Sequence, residues 1–508
     1  GSALQILVVV RGGRGWGLVA RFVAPNGRCK PRKWPARPWV MDRRAPLGQS
    51  RAMLEPVVLP AWLFWLGVLL GTAGLIDRVL GPGLRWVFRR RVNRAIDRLN
   101  ERLQVRIQPF KLTKRQVLIE RLVYDPEVMA AVEAHTAETG MPREAAVAEV
   151  ETYAREIVPS FSAYAYFAVG ARVSRWIAQA LYRVRLGAFD EDALARIDPE
   201  ATVIFVMNHR SNVDYLLVTY LSSTQSALSY AIGEWARIWP LSRIMRAMGG
   251  YFIRRRSRNT LYRRVLSRYV RMATEGGVTQ AIFPEGGLSR DGRLSPPKLG
   301  LLSYILAGFD PDTSRDVVFV PVGLNYDRVL EDRILLGADV GPEGKPKFRV
   351  SPLTSLGFVV RLVWLRLTGR LYRFGYACVS FGDPLSLRAF LAEDPGEKAV
   401  EALGTALTER IGQVIPVLPV SLIASVMLEA DAPLSAIDIK IRAEAVLTGL
   451  KARGAHCHVP RESFDYAVEV GLRMLTLRHI VVEEDGAFRI SQPDRDVLAY
   501  YANAIAHL

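Results

Sequence analysis

The sequence predicts an α/β protein in which a central sheet is flanked by helices, with a helical unit before it and a mainly helical region after it. From about residue 200 to about residue 385, short β-rich runs alternate with amphipathic stretches, which is the pattern of a layered α/β structure. Before this region and after it, apolar residues recur at three- and four-residue spacing, which is typical of helices. From Val57 to Ile76 no residue is charged, which predicts an N-terminal membrane segment.

The composition is that of a folded protein. The chain has 508 residues, of which 50% are hydrophobic and 23% are charged, so we expect several structural units with sizeable cores. The three cysteines, Cys29, Cys378 and Cys457, are far apart in the sequence. Their odd number and wide separation favour a reducing compartment without a disulfide framework. We also expect no metal site, because the sequence has no two pairs of ligands at zinc spacing.

The charge balance predicts anionic partners. Lys and Arg number 68 against 50 Asp and Glu, which gives a net charge of +18. Such a surface attracts phospholipid headgroups, coenzyme phosphates, an acidic carrier protein or nucleic acid. No nucleic-acid reading element is visible, so we expect no nucleic-acid partner. Taken alone, the charge also fits a non-catalytic basic membrane-binding protein, and this class stays open as an alternative.

Residues 1–52 form a basic leader with a single acid, Asp42. The leader has no sustained periodicity, so we expect it to be disordered or non-native, with Met41 or Met53 as the natural start. An Arg-rich, acid-poor leader is also typical of an organelle transit peptide, and this alternative stays open.

Residues 53–94 are predicted to anchor the protein to a membrane. A helix of about 20 residues spans the hydrocarbon core, and Val57–Ile76 has this length. Arginines follow from Arg78 to Arg94 and place that flank on the cytoplasmic side. If translation starts at Met53, we therefore expect the protein at the cell (inner) membrane with the rest of the chain in the cytoplasm. If the basic leader is part of the protein, both flanks are positive and the orientation stays undecided. A buried or interfacial helix is the alternative, because prolines stand at the start of the segment.

Three further units follow along the chain. Residues 95–198 are predicted to form a helical domain, 199–390 the α/β domain and 391–508 a mainly helical C-terminal domain. In the last of these, the apolar run Val414–Leu428 contains Pro416 and Pro419. Two prolines favour a buried or interfacial segment over a membrane-spanning helix.

The first candidate motif is the segment Asn208–Asp214, which directly follows the β-rich run at 201–207. Ser211 and Asp214 have the spacing of a capping box, which predicts a helix start here. His209 precedes this start and can fold back toward Asp214. An imidazole beside a carboxylate is a general base whose partner fixes the tautomer. The alternative is a capping Asp beside a loop His without a catalytic role.

Three later segments are candidates for substrate contacts. Residues 249–256 end in three consecutive arginines, and arginine binds phosphate in bidentate fashion. Residues 283–298 combine glycines, which permit close backbone approach, with Ser, Arg and Lys donors. Val320, Pro321 and Val322 close an apolar strand suited to line an acyl chain. A solvated face, a surface loop and plain core are the respective alternatives.

In this order and spacing, the four blocks resemble those of the glycerol-phosphate acyltransferase family within the wider glycerolipid acyltransferases. His209 and Asp214 match the first block, and Phe252–Arg255 looks like the second. Glu285–Lys298 looks like the third and Val320–Val322 like the fourth. The resemblance covers roughly residues 100–508. One departure is Leu288, because many members of the family carry Arg at this position.

The resemblance implies a reaction and a set of roles. A fatty acyl group would pass from acyl-CoA or acyl carrier protein to the sn-1 hydroxyl of glycerol 3-phosphate, giving lysophosphatidate in the first step of phospholipid synthesis. His209 would be the base and Asp214 its partner. The implied substrate-binding residues are Arg210, Ser211, Arg254, Arg255, Glu285, Gly286, Gly287, Ser289, Arg290 and Lys298, and the implied acyl-site wall is Val320, Pro321 and Val322.

No metal or redox cofactor is implied by the resemblance, and membrane phospholipids are expected partners of the protein, because the product would be released beside the membrane that accepts it. Dihydroxyacetone phosphate or lysophosphatidate as the acceptor is the alternative within the same chemistry.

Overall fold

The computed structural model describes residues 6–9, 17–20, 107–223, 226–233, 241–254, 257, 259–337, 368, 373–393 and 396–508. The predicted membrane segment Val57–Ile76 lies outside these ranges, as does Arg255. The chain divides into two compact units, residues 1–93 and 94–508. In the first unit, β1 (Ile6–Val9) and β2 (Gly17–Ala20) pair as an antiparallel hairpin.

The second unit begins with helices. They are α1 (Pro109–Leu112), α2 (Arg115–Val123), α3 (Pro126–Thr139), α4 (Arg143–Ile157), a π-helix (Ala165–Gly170) and α5 (Ala171–Leu181). The start of α3 shows why these bounds arise, because the Asp125 side chain accepts a hydrogen bond from the Glu127 N–H and Pro126 occupies the first helical position. The helix ends at Gly140, whose positive φ of 70° suits glycine.

The central sheet follows from here. Its strands are β3 (Arg183–Leu186), β4 (Thr202–Met207), β5 (Ser229–Ile232), β6 (Tyr251–Phe252), β7 (Gln280–Ile282), β8 (Val317–Tyr326), β9 (Tyr376–Phe381) and β10 (Leu385–Ser386). The order is β3-β9-β8-β4-β7-β5-β6, and β10 pairs with β8. The strands from β8 to β6 are parallel, whereas β9 runs antiparallel to β8. Ligands of such sheets bind at the carboxyl ends of the parallel strands.

Further helices lie between these strands along the chain. They are α6 (Glu191–Ala195), α7 (Asp214–Ser222), α8 (Leu241–Ala247), α9 (Thr260–Glu275), α10 (Gly300–Leu306) and α11 (Asp332–Gly337).

Strand β3 is a difference from the sequence prediction, because it falls within residues 95–198, where we expected helices. It pairs in parallel with β9, Arg183 opposite Tyr376, and forms one edge of the sheet. This edge strand has only four residues, which alternate Arg with Val or Leu. The alternation is too short to distinguish a strand from the helical sequence around it.

Both faces of the sheet are covered. Ile204 and Val206 of β4 belong to a core shared with the N-terminal helices, including Val150. Phe205 and Met207 point to the opposite face and share a core with the C-terminal helices. The two-residue period of a strand produces this division, so β4 is buried over its whole length.

The C-terminal region consists of helices and a small sheet. The helices are α12 (Leu387–Ala392), α13 (Ala399–Val414), α14 (Pro419–Leu428), α15 (Ala436–Ala452), α16 (Phe464–Thr476) and α17 (Arg495–Ala502). Strands β11 (Leu434–Ser435), β12 (Val481–Glu484) and β13 (Ala487–Ile490) pair in the order β11-β13-β12.

The apolar run Val414–Leu428 is divided between the end of α13 and α14. Helix α14 is buried on nearly all sides and packs against α15, α16 and α17. Within the described ranges, no helix is both long and apolar enough to cross a bilayer.

Candidate active site

The first candidate motif lies at the carboxyl end of β4, in the middle of the parallel strands. The side chain of Asn208 continues the β4–β8 pairing, since its Nδ2 donates to the Leu324 carbonyl at 2.9 Å and its Oδ1 accepts from the Leu324 N–H at 2.8 Å. The Asn208 side-chain amide takes the place of a backbone hydrogen-bonding partner at the point where the chain leaves β4. The turn that carries His209 is therefore fixed to β8.

His209 and Asp214 form a buried pair. His209 Nδ1 lies 2.9 Å from Asp214 Oδ2, and the two side chains are 2% and 0% exposed. The same carboxylate oxygen accepts from the backbone N–H groups of Arg210 (2.7 Å) and Ser211 (3.0 Å). The Tyr326 hydroxyl donates to the other oxygen, Oδ1.

These contacts determine the tautomer of the histidine. A carboxylate only accepts hydrogen bonds, so the proton of the 2.9 Å contact belongs to His209 Nδ1. The neutral ring then presents Nε2 as an acceptor, and this atom has no hydrogen-bond partner among the described residues. The geometry is that of a general base with an orienting acid.

Aromatic rings and backbone contacts hold the imidazole in place. The ring stacks on Phe283, with centroids 4.1 Å apart, and meets Tyr215 edge-on at 5.6 Å. The His209 N–H donates to Glu285 Oε1 at 2.8 Å, and its carbonyl accepts from the Ser289 N–H at 2.9 Å. The third block thus holds the first one directly.

The predicted capping box forms only in half, because Asp214 Oδ2 accepts from the Ser211 N–H at 3.0 Å but Ser211 Oγ does not accept from the Asp214 N–H. Helix α7 begins at Asp214, and Val213 is the N-cap residue without a side-chain cap. Ser211 Oγ instead accepts from the Val213 N–H at 3.2 Å and donates to Glu331 Oε2 at 2.7 Å. The box stays incomplete because the Ser211 hydroxyl is engaged by Glu331 and by the Val213 N–H.

Glu285 is buried and bridges two loops. Its Oε2 accepts from the Ser295 N–H at 3.1 Å, in addition to the His209 contact at Oε1. Burial raises the pKa of this carboxyl, whereas the two backbone N–H donors oppose the shift. Both oxygens are therefore engaged within the protein, and Glu285 orders the site.

The remaining residues of the third block surround this carboxylate. Gly286 has φ 65°, and a Cβ at this position would lie 2.6 Å from Lys298 Cδ, so the lysine side chain crosses the turn. Ser289 is buried and donates from Oγ to the Arg293 carbonyl at 2.8 Å. Gly287 is half-buried and Arg290 is exposed. Leu288 packs against the apolar core, where a charged side chain would be desolvated.

Arg210 is buried beneath the C-terminal helix α17. Its Nη1 donates to the Gly292 carbonyl, and the guanidinium lies 4.9 Å from the centroid of Tyr500. The donors Nε and Nη2 are buried and have no hydrogen-bond partner in the described part of the chain. Arg210 thus joins the first block, the third block and α17.

Arg254 is not placed beside His209. It follows β6, three strands from β4, which corresponds to roughly 14 Å at about 4.8 Å per strand. Its Nε lies 3.0 Å from Glu156 Oε1 and its Nη2 lies 2.6 Å from Glu156 Oε2. The rings of Tyr153 and Tyr262 flank this pair. Its predicted partner Arg255 lies outside the described residues.

The fourth block lies within the core of the sheet. Val320, Pro321 and Val322 are buried in β8 opposite the residues of β4. The strand does not close at Val322, as the sequence suggested, but continues to Tyr326 and pairs there with β9. Pro321 lies between the stretches that pair with β10 and β9, where its missing N–H breaks no ladder.

Sequence reasoning missed several residues of the site. Tyr326 contacts Asp214, Phe283 stacks on His209, and Glu331 accepts hydrogen bonds from Ser211 and from the Asn212 backbone and side chain. The available signal was the polar run at 325–332, which follows an apolar strand directly.

Comparison with known proteins places these features in a family context. A family model described as Acyltransferase matches residues 190–325, and one described as Glycerol-3-phosphate acyltransferase C-terminal region matches residues 363–508. The first range contains both members of the buried pair, and the second contains Tyr500 of α17.

Curated relatives agree with these models. A glycerol-3-phosphate acyltransferase of Aeromonas hydrophila is 29% identical over 423 residues, covering 78% of this chain and 50% of that protein. Proteins of the same name from Actinobacillus succinogenes (30% identity, 55% of this chain and 33% of that protein) and Shewanella halifaxensis (28%, 78% and 51%) also match. The chain spans about half the length of these relatives, or less.

Proposed function

The chain belongs to the glycerol-3-phosphate acyltransferase family, and we propose on this basis that it is a glycerol-3-phosphate 1-O-acyltransferase. It would transfer a fatty acyl group from an acyl thioester to the sn-1 hydroxyl of glycerol 3-phosphate and release lysophosphatidate. The observation that carries this proposal is the buried contact of 2.9 Å between His209 Nδ1 and Asp214 Oδ2. It leaves Nε2 as the proton acceptor.

The proposed reaction uses this base twice. Nε2 of His209 removes the proton of the acceptor hydroxyl as its oxygen bonds to the thioester carbonyl carbon. The tetrahedral intermediate then collapses, the carbon–sulfur bond breaks, and the imidazolium returns the proton to the leaving sulfur. Asp214 stabilises the transient imidazolium. Positioned proton transfer of this kind contributes about 10² to 10⁴ in rate.

The acceptor phosphate is assigned to the cations of the first and third blocks. Lys298 lies across Gly286, Arg290 is exposed on the same loop, and Arg210 has two donors without a partner among the described residues. Arg254 contributes only if it exchanges the Glu156 carboxylate for a phosphate. We therefore place the phosphate nearer to the third block than to β6.

The acyl donor in this proposal is acyl-CoA or acyl carrier protein, and the buried wall Val320–Val322 borders the path of the acyl chain. We further propose that the protein acts at the cytoplasmic face of the inner membrane. Lysophosphatidate is a membrane lipid, and a net charge of +18 favours contact with anionic phospholipids.

A parallel assay tests the function. Purified protein is offered labelled glycerol 3-phosphate, dihydroxyacetone phosphate and lysophosphatidate, each with acyl-CoA and with acyl carrier protein. We expect turnover of glycerol 3-phosphate that falls by about 10² to 10⁴ in kcat, with little change in KM, when His209 is replaced by Ala. A folded His209→Ala protein with wild-type turnover would exclude the mechanism.

A further inference from the structure

Two adjoining cavities open beside β3 at the edge of the central sheet. The larger has a volume of about 360 Å³ and is lined by Gln179, Tyr182, Arg183, Val184, Arg185 and Arg373. The smaller, of about 250 Å³, is lined by Arg183, Arg185, Tyr376, Pro460, Arg461 and Tyr466. Neither contains His209 or Asp214. We name the two together the arginine cavity, after Arg183, Arg185, Arg373 and Arg461.

The arginine cavity is strongly positive. None of the carboxylates that the structure describes lies within 4.0 Å of its four guanidinium groups. Elsewhere in the same unit arginines are paired, as Arg478 is with Asp332 at 2.6 Å. A concave surface lined by one sign of charge concentrates counter-ions, so this arrangement is suited to an anion.

Aromatic rings lie against three of the four arginines. Arg183 and Arg185 each lie 5.6 Å from the ring centroid of Tyr376, and Arg461 lies 4.2 Å from that of Tyr466. A guanidinium stacked on a ring keeps its N–H groups at its edge, where they bind phosphate oxygens in pairs.

The backbone at Arg461 is strained in a way that supports this placement. Arg461 and Glu462 have φ values of 57° and 54°, in the left-handed region that disfavours residues other than glycine. Such strain is retained mainly at functional sites. The left-handed backbone at Arg461 places its side chain over the ring of Tyr466.

The cavity lies close to the candidate active site. Tyr326, which holds Asp214, pairs with Ala377, and Ala377 pairs with Val184. The backbone of β3 at the cavity is therefore two strands from Tyr326, roughly 10 Å at about 4.8 Å per strand. This position is separate from the third block, to which we assign the acceptor phosphate.

We propose that the arginine cavity binds the phosphate groups of a nucleotide-type acyl carrier such as coenzyme A. This inference rests on the proposed function, because it names the donor for the same reaction. The cavity volumes suit a small molecule better than the broad face of a carrier protein. A phospholipid headgroup offers the same phosphate chemistry, but a bilayer meets a protruding surface more readily than a recess.

The test is direct binding of adenosine 3′,5′-bisphosphate to the purified full chain, measured by calorimetry at fixed ionic strength. The variant Arg185→Gln/Arg461→Gln leaves Arg183 and its contacts with Tyr376 and Tyr466 intact. The matched control is Arg442→Gln/Arg473→Gln, which removes the same charge from two exposed arginines on α15 and α16. We expect the first variant to bind at least about tenfold more weakly and the control to bind as the wild type does.

Three outcomes would overturn the proposal. The first is equal affinity of the two double variants for the bisphosphate. The second is loss of binding to phosphatidylglycerol vesicles in Arg185→Gln/Arg461→Gln with bisphosphate binding unchanged, which would assign the cavity to lipid headgroups. The third is loss of binding to purified acyl carrier protein in Arg185→Gln/Arg461→Gln with bisphosphate binding unchanged, which would assign the cavity to the carrier protein.

The assay also separates this inference from the proposed function, because bisphosphate binding requires no turnover. A wild-type chain without acyl transfer but with arginine-dependent binding would refute the function and support the cavity. A chain that transfers acyl groups but binds the bisphosphate equally well without Arg185 and Arg461 would support the function and refute the cavity.

Discussion

At the scale of single residues, Asp214 is the centre of the candidate site. Its two oxygens accept hydrogen bonds from the His209 ring, from two backbone N–H groups and from the Tyr326 hydroxyl. A carboxylate held by several donors has one orientation, and it transmits this orientation to the imidazole. When one member of such a buried hydrogen-bond network is removed, the stabilisation lost exceeds that of the single missing contact.

Tyr326→Phe tests this role of Asp214. The change removes a hydrogen bond to a charged group, which contributes about 1.5 to 3 kcal/mol, so we expect kcat to fall about tenfold or more with KM unchanged. Tyr251→Phe is the control, because this buried tyrosine donates from its hydroxyl to Gln280 Oε1 at 3.4 Å and does not contact Asp214. Equal kcat values for the two variants would contradict a positioning role for Tyr326.

At the scale of elements, Asp327 joins the sheet to the C-terminal helices. Its Oδ2 accepts from the Tyr376 N–H at the start of β9 (2.7 Å), and its Oδ1 accepts from the Val420 N–H at the start of α14 (3.1 Å). Burial raises the pKa of this carboxyl to about 7, although the two backbone donors lower it. The element junction therefore responds to pH.

The sign of this response follows from proton linkage. The folded protein keeps the Asp327 proton up to about pH 7, whereas the unfolded chain releases it near its ordinary value of 3.8. The contribution to stability is complete below the lower value and is lost as pH rises through the higher one. We expect the free energy of unfolding, measured with denaturant from pH 4 to pH 8, to decline more steeply in the wild type than in Asp327→Asn. Parallel profiles would refute the assignment.

At the scale of the whole molecule, the C-terminal region is part of the candidate site. The Asn503 side chain donates to the Asp291 carbonyl at 2.8 Å, and the Arg210 guanidinium lies over the ring of Tyr500. At Gly292, with φ 86°, a Cβ would lie 1.9 Å from the Tyr500 carbonyl oxygen. The third block and α17 are thus in direct backbone contact.

Gly292→Ala tests this contact. The side chain would push the loop away from α17, so we expect a lower melting temperature and a lower kcat. Gly396→Ala is the control, because Gly396 also has a positive φ, 67°, but no atom lies within 4 Å of its added Cβ. Both variants carry the backbone strain of roughly 1 to 2 kcal/mol, and only the first adds the clash. Equal effects of the two changes would show that packing against α17 is unimportant.

Features that depend on local order could be predicted from residue type and spacing alone. The apolar run of β4, the turn that follows it and the pairing of His209 with Asp214 arise within a few residues, where spacing and residue type limit the conformations. The alternation of β-rich and amphipathic runs likewise predicted the α/β class. The four-residue strand β3 was too short for such a pattern to appear.

Contacts between residues far apart in the chain could not be predicted in this way. Tyr326 is 112 residues from Asp214, Glu331 is 120 residues from Ser211, and Glu156 is 98 residues from Arg254. Each contact depends on the strand order and on the helices that cover the sheet, and local propensities do not encode a partner at that separation. The capping box is incomplete for the same reason, because the Ser211 hydroxyl donates to the distant Glu331 and does not accept from the Asp214 N–H.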